Sequence, residues 1–171
     1  TPNITGPTDK MIARARFAKE HGAGALLISP GISGFDIMRL IADDDSINLP
    51  ILSHPAFSGS FVTSADNGIL HYALYGQLQR LSGADGSIFP SFGGRFAFSV
   101  EECQSIVSGC VDSMGPLKPI FASPGGGMNL ERIPAMQEVY GAQVIYLIGG
   151  GLHRHSKDLV QNARRFVDLV S

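Results

Sequence analysis

Apolar positions along the chain follow two rhythms. Short, near-continuous hydrophobic runs occupy 25–29, 51–54, 87–91, 120–123 and 144–148, bounded by Gly or Pro, as expected of strands covered on both faces. Asn3, Ile4 and Thr5 read as the last residues of a strand before them. Between the runs the apolar residues recur at helical spacing. After Thr8 come Met11, Ile12, Ala15 and Ala18, ending near Gly22. The segment 65–81 reads as helical, although Gly68 and Gly76 weaken it. Ser99 and Glu102 stand at capping-box spacing, in which each side chain satisfies an orphan amide of the first turn. Asn129 is placed to cap a helix over 130–140 stopped by Gly141, and Ser156 to cap a last one with Leu159, Val160, Ala163, Phe166, Val167 and Val170 on one stripe.

Strand, loop and helix thus alternate, the rhythm of β/α units with right-handed crossovers. An α/β fold follows, as a barrel or an open doubly wound sheet. The glycine-rich and polar residues stand after the strands, the edge that carries chemistry in both architectures. The chain opens at Thr1-Pro2 on what reads as a strand end, which suggests a fragment.

With 171 residues and 44% hydrophobic content the chain is long enough for one well-buried core. A net charge of −2, and no basic run longer than Arg164-Arg165, speak against a nucleic-acid partner. The apolar runs are too short to cross a bilayer, and no signal pattern opens the chain. Cys103 and Cys110 fall about two helical turns apart, too far for a relaxed disulfide. Reduced core thiols and a cytoplasmic setting are expected.

Three constellations could carry chemistry. Gly125-Gly126-Gly127 and Gly149-Gly150-Gly151 each end a buried strand in residues without a Cβ, so that successive amides can converge on one anion. The structural alternative is two tight turns packed against helices. Ser91-Phe92-Gly93-Gly94-Arg95 puts an Arg on a flexible loop, free to close over a phosphate or carboxylate or simply to face solvent. His54 ends a strand beside Ser53, Ser58 and Ser60, as a general acid/base, a substrate contact or a hydrogen-bonded core residue. Asp36, His153, Arg154 and His155 are weaker candidates, and Asp43-Asp44-Asp45 reads as a solvated helix end. No Cys/His metal spacing occurs.

Taken together, Asn3-Ile4-Thr5-Gly6-Pro7-Thr8, Arg80-Leu81-Ser82-Gly83-Ala84-Asp85, Ala122-Ser123-Pro124-Gly125-Gly126-Gly127 followed by Ile133-Pro134-Ala135, and Gly149-Gly150-Gly151 resemble the C-terminal barrel of the RuBisCO large-subunit superfamily. The resemblance runs almost end to end. It implies that residues 1–171 are the later portion, about strands four to eight, of a TIM (β/α)8 barrel, with the N-terminal domain and first barrel strands absent. It further implies a substrate phosphate on Ser123, Gly126, Gly127, Gly150 and Gly151, a Mg²⁺ ion whose ligands lie upstream, and a homodimer. The remaining part of the same polypeptide, or a partner, would then cover the bare sheet edges.

The chain departs from carboxylases. Where they carry a His-Arg pair after strand five it has His54-Pro55, and Ser58 stands where a further His would. The strand-six His gives way to an apolar residue near Ile88 or Phe89, and the flexible-loop lysine is matched by Arg95. Since a guanidinium does not reproduce a compact ammonium, the resemblance points to a RuBisCO-like protein that does not fix CO₂. The first expectation is a decarboxylase of a phosphorylated β-keto sugar acid working through a Mg²⁺-stabilised enediolate. The alternatives are an enolase or isomerase of a methylthioribulose-phosphate-like substrate and a non-catalytic sugar-phosphate-binding protein.

Overall fold

The computed structural model describes residues 1–64, 66–96 and 98–170. Four parallel strands form one sheet in sequential order: β1 (Leu26–Ile28), β2 (Ile51–Ser53), β3 (Gly86–Pro90) and β4 (Phe121–Gly125). Single bridges extend it by one residue at each edge, Asn3 to Leu27 and Val144 to Ala122, both parallel. A doubly wound sheet reverses its strand order at a switch point, and this sheet has no reversal. The fold is α/β with a parallel sheet.

Each crossover carries helix. After Asn3 comes α1 (Thr8–Glu20), burying Met11 and Ala15 as its spacing predicts. A one-turn α2 (Pro30–Ser33) and the amphipathic α3 (Phe35–Ala42), with Ile37, Met38 and Ile41 inward, link β1 to β2. A π-helix (Tyr72–Gln77) running into α4 (Leu78–Leu81) precedes β3. Between β3 and β4 lies α5 (Val100–Val111), whose Ser99/Glu102 capping box forms in both directions. The chain continues through α6 (Ile133–Tyr140), α7 (Gly150–His155) and α8 (Leu159–Val170). Cys103 and Cys110 are buried and free in α5, where burial pushes the Cys110 thiol up to about 12.

The structure corrects several sequence expectations. Of the helix expected over 65–81, Ala65 lies outside the described residues, 66–70 are irregular, and the helix that follows opens with π geometry. It packs closely: a Cβ on Gly76 would sit 2.5 Å from Gly109 C, so two glycines let the π-helix and α5 touch backbone to backbone. Asn129 does not cap. Its backbone carbonyl accepts the amide of Arg132 in a 3-10 turn (Leu130–Arg132), and its buried Oδ1 has no partner. Asp158, not Ser156, caps α8, accepting from the Gln161 amide at 3.0 Å, while Ser156 Oγ donates to Asn162 Oδ1.

The run 144–148 pairs only through Val144 and through the Ile145 amide, which donates to Ala122 O at 2.9 Å. With a neighbour on one side alone it stays half-buried, and Leu147 is exposed. The apolar stripe of α8 also faces outward at Leu159, Val160 and Val167. No helix among the described residues is long and apolar enough to cross a membrane.

Candidate active site

Where β2, β3 and β4 end, their loops enclose a cavity of about 430 Å³. His54 continues β2 into it. Its amide donates to Ile28 O at 2.7 Å, which fixes the backbone to the sheet, and its Nδ1 accepts the Ala56 amide at 3.1 Å. With Nδ1 an acceptor, a neutral imidazole carries its proton on Nε2 and offers it as a donor. Burial lowers the His54 pKa from 6.5, which favours that neutral form.

Arg95 reaches the cavity from the loop after β3. That loop is tied to the next one by two backbone bonds, Ser91 N–H to Gly125 O and Arg95 N–H to Gly126 O, both 2.8 Å. The base of the loop is held by a 2.9 Å hydrogen bond between Ser91 Oγ and Tyr140 OH. The exposed Arg95 guanidinium lies 5.2 Å from the Phe96 ring centroid, and among the described residues no carboxylate pairs with it.

The glycine-rich loops pack closely in series. A Cβ on Gly94 would overlap Gly126 O, one on Gly127 would crowd the Arg95 backbone, and one on Gly151 would overlap Met128 O. The runs after the last two strands were expected to converge, but in the structure Gly151 meets Met128 and Asn129, and it is the Gly93-Gly94 loop that packs against Gly126. Gly125 and Gly126 line the cavity together with His54 and Arg95. Gly127 stands beside them. Gly149, Gly150 and Gly151 begin α7 behind Met128 and are not on the cavity wall. Ser123 is directed elsewhere: it is buried and its Oγ donates to Ile145 O at 3.1 Å, joining β4 to the next segment.

The rest of the wall is apolar and was not foreseen as part of the site. Tyr75, Ile88 and Phe89 form its floor, and Phe57, Phe96 and Leu147 its rim. The one sequence sign of it is the replacement of charged positions by Pro55 and by Ile88 or Phe89. The weaker candidates stand outside the cavity. Asp36 is exposed in the first turn of α3, and His155 Nδ1 lies 3.3 Å from Glu131. Asp43 and Asp44 pair with Arg39 and Arg16 at the surface, as a solvated helix end should. A larger groove, about 820 Å³, runs along α1 at the Asn3 edge of the sheet and contains no strand-end loop. Among the described residues no three His, Cys, Asp or Glu side chains gather as a metal site.

No protein-family model matches the chain. It is 37% identical to the 2,3-diketo-5-methylthiopentyl-1-phosphate enolase of Bacillus licheniformis over 168 residues, 98% of this chain and 41% of the relative. It is 33% identical to the ribulose bisphosphate carboxylase-like protein 1 of Rhodopseudomonas palustris over 170 residues, 99% of the chain and 44% of the relative. Among solved structures, the RuBisCO-like protein of Alicyclobacillus acidocaldarius superposes with a TM-score of 0.89 at 35% identity, covering 98% of this chain and 42% of that one. The chain therefore spans well under half the length of the relatives it matches. Motifs, parallel strand order and homologues agree that this chain belongs to the RuBisCO large-subunit superfamily, among its RuBisCO-like members, and corresponds to their C-terminal domain.

Proposed function

We propose that this chain supplies about strands four to eight of a (β/α)8 barrel and, with the rest of that barrel, enolises a phosphorylated diketone without fixing CO₂. Of the reactions expected from sequence, the enolase is the one the relatives support, and decarboxylation is set aside. The observation that carries the reading is the contact of the Gly93-Gly94 and Gly125–Gly127 runs beside one cavity that also holds His54 and Arg95.

In this reading the substrate's phosphate sits against the amides of Gly125, Gly126 and Gly127, with Ser123 stiffening β4 beneath them. Arg95 closes over the anion, and its two-pronged guanidinium sets the phosphate's orientation. His54 donates its Nε2 proton as a hydrogen bond to a substrate oxygen. When a base from the rest of the barrel takes the proton from the neighbouring carbon, negative charge builds on that oxygen until it is protonated to the enol, and a fixed donor stabilises it most when water is excluded. The described residues present no donor set for Mg²⁺, so no step here runs through the metal. In the complete barrel it would act as a Lewis acid on the same oxygen. A homodimer, the N-terminal part of the same protein and a cytoplasmic setting complete the reading, the last supported by two buried free thiols.

The test uses the full-length polypeptide that carries this chain, with Mg²⁺. Given 2,3-diketo-5-methylthiopentyl 1-phosphate it should produce the enol, followed by ultraviolet absorbance, and no CO₂. Release of CO₂ from a phosphorylated β-keto sugar acid without enol formation would restore the decarboxylase. Phosphate binding with neither reaction would leave a binding protein.

A further inference from the structure

The loop after β2 contains a backbone conformation that its sequence disfavours. Phe57 has φ 67 and ψ −4, the left-handed region, and the residue is 73% exposed at the cavity rim. A bulky residue there is strained, and an exposed phenyl ring gains nothing from burial. The surroundings nevertheless enforce the turn. The Ala56 amide is held by His54 Nδ1, the Ser58 amide by Pro55 O at 3.0 Å, and Ser60 Oγ donates to Phe57 O. Gly31 presses on the turn from below, where a Cβ would lie 2.5 Å from Ala56 O. Strain that neighbouring contacts over-determine points to a position used for something other than stability.

Geometry suggests the use. β2 and β4 flank β3, so their ends stand two inter-strand spacings apart, about 10 Å. That is the reach of a short carbon chain with a phosphate at one end. Between the two ends, β3 presents Ile88 and Phe89, which offer no charge to a second anion. Accepting the phosphate site of the preceding section, we propose that Phe57 is a specificity-determining residue. Its strained turn holds the ring against the end of the substrate remote from the phosphate, so the site selects a monophosphate with an apolar tail. The same turn fixes the His54 tautomer, which couples tail recognition to the hydrogen-bond donor.

The experiment measures binding of inorganic phosphate, methyl phosphate and hexyl phosphate to the full-length polypeptide by calorimetry. The wild type should prefer hexyl over methyl phosphate by roughly tenfold or more, the yield of a few buried methylenes. Phe57→Gly, which relieves the backbone strain, should fold at least as well and lose most of that preference while inorganic phosphate affinity stays within about twofold. Phe57→Leu should recover most of the preference, and Phe57→Asn, also tolerant of the turn, should not. An unchanged hexyl-to-methyl ratio in Phe57→Gly overturns the proposal. So does a change in self-association, seen by size exclusion, in place of the ratio. Failure of the wild type to bind inorganic phosphate removes the phosphate reading itself, and this inference with it.

Discussion

At the ends where the strands begin, polar side chains are saturated by main-chain partners. Arg80, 3% exposed, donates to the carbonyls of Gly109, Asp112, Leu117 and Lys118, tying the end of α5 to the approach of β4. Asp85 accepts the Ile51 amide on Oδ2 at 2.8 Å, while its own backbone bonds Ile51 O and the Phe121 amide, so one residue aligns the starts of three strands. At the ends where the strands finish, His54 Nε2 and the Arg95 guanidinium keep hydrogen-bonding capacity directed at a cavity. The polar motif at 80–85 is therefore scaffold, and the groups proposed to carry the chemistry are those that the fold positions without consuming.

Four changes would break or sharpen this contrast. The largest effect is expected from Arg80→Ala, which orphans four carbonyls around a buried charge site and should cost about 3–5 kcal/mol in urea unfolding. A loss under about 1 kcal/mol would mean that this end is not the scaffold. At the other end, Gly126→Ala places a Cβ at φ +91 and 3.0 Å from the Phe96 ring. It should weaken phosphate binding by roughly ten- to a hundredfold, with only about 1–2 kcal/mol of stability lost. Ser99→Ala removes half of the capping box on α5 and should cost about 1 kcal/mol without altering phosphate affinity.

The smallest effect concerns His54, whose folded pKa lies below the unfolded 6.5. The unfolded chain then binds more protons between those two values, so stability is full above pH 6.5 and declines as pH falls toward the folded pKa. An NMR titration of the His54 ring should give a midpoint below 6.5, and the matching part of the stability profile should flatten in His54→Gln.

Much of this fold is legible from local pattern. Strands flanked by Gly or Pro, the Ser99/Glu102 box and the buried thiols follow from propensity and spacing alone. The glycine runs point to the edge of the sheet that holds the cavity, because residues lacking a Cβ cluster after strands. What stays hidden depends on distant partners. Gly76 looks like a weak helix position until Gly109 stands against it. Ser123 looks like an anion ligand until Ile145 O takes its hydroxyl. Asn129 carries the right side chain for a cap but sits on a 3-10 turn, and 144–148 has strand composition with a neighbour on only one side. The aromatic rim escaped notice because Phe57 is flanked by small and polar residues that read as an ordinary loop.

The π-helix has a mechanical consequence. The Leu78 amide donates to Ala73 O, five residues back, so the turn holds one residue more than an α-helix would. The Tyr75 carbonyl in that turn accepts both Ser87 Oγ and Cys110 Sγ. The surplus residue acts as a phase shift: deleting any one position within it would let the coil tighten and turn everything upstream by about 100°. Tyr75 would then swing off the cavity floor, so this short stretch should resist single-residue deletion far more than its exposed neighbours at 66–70 do.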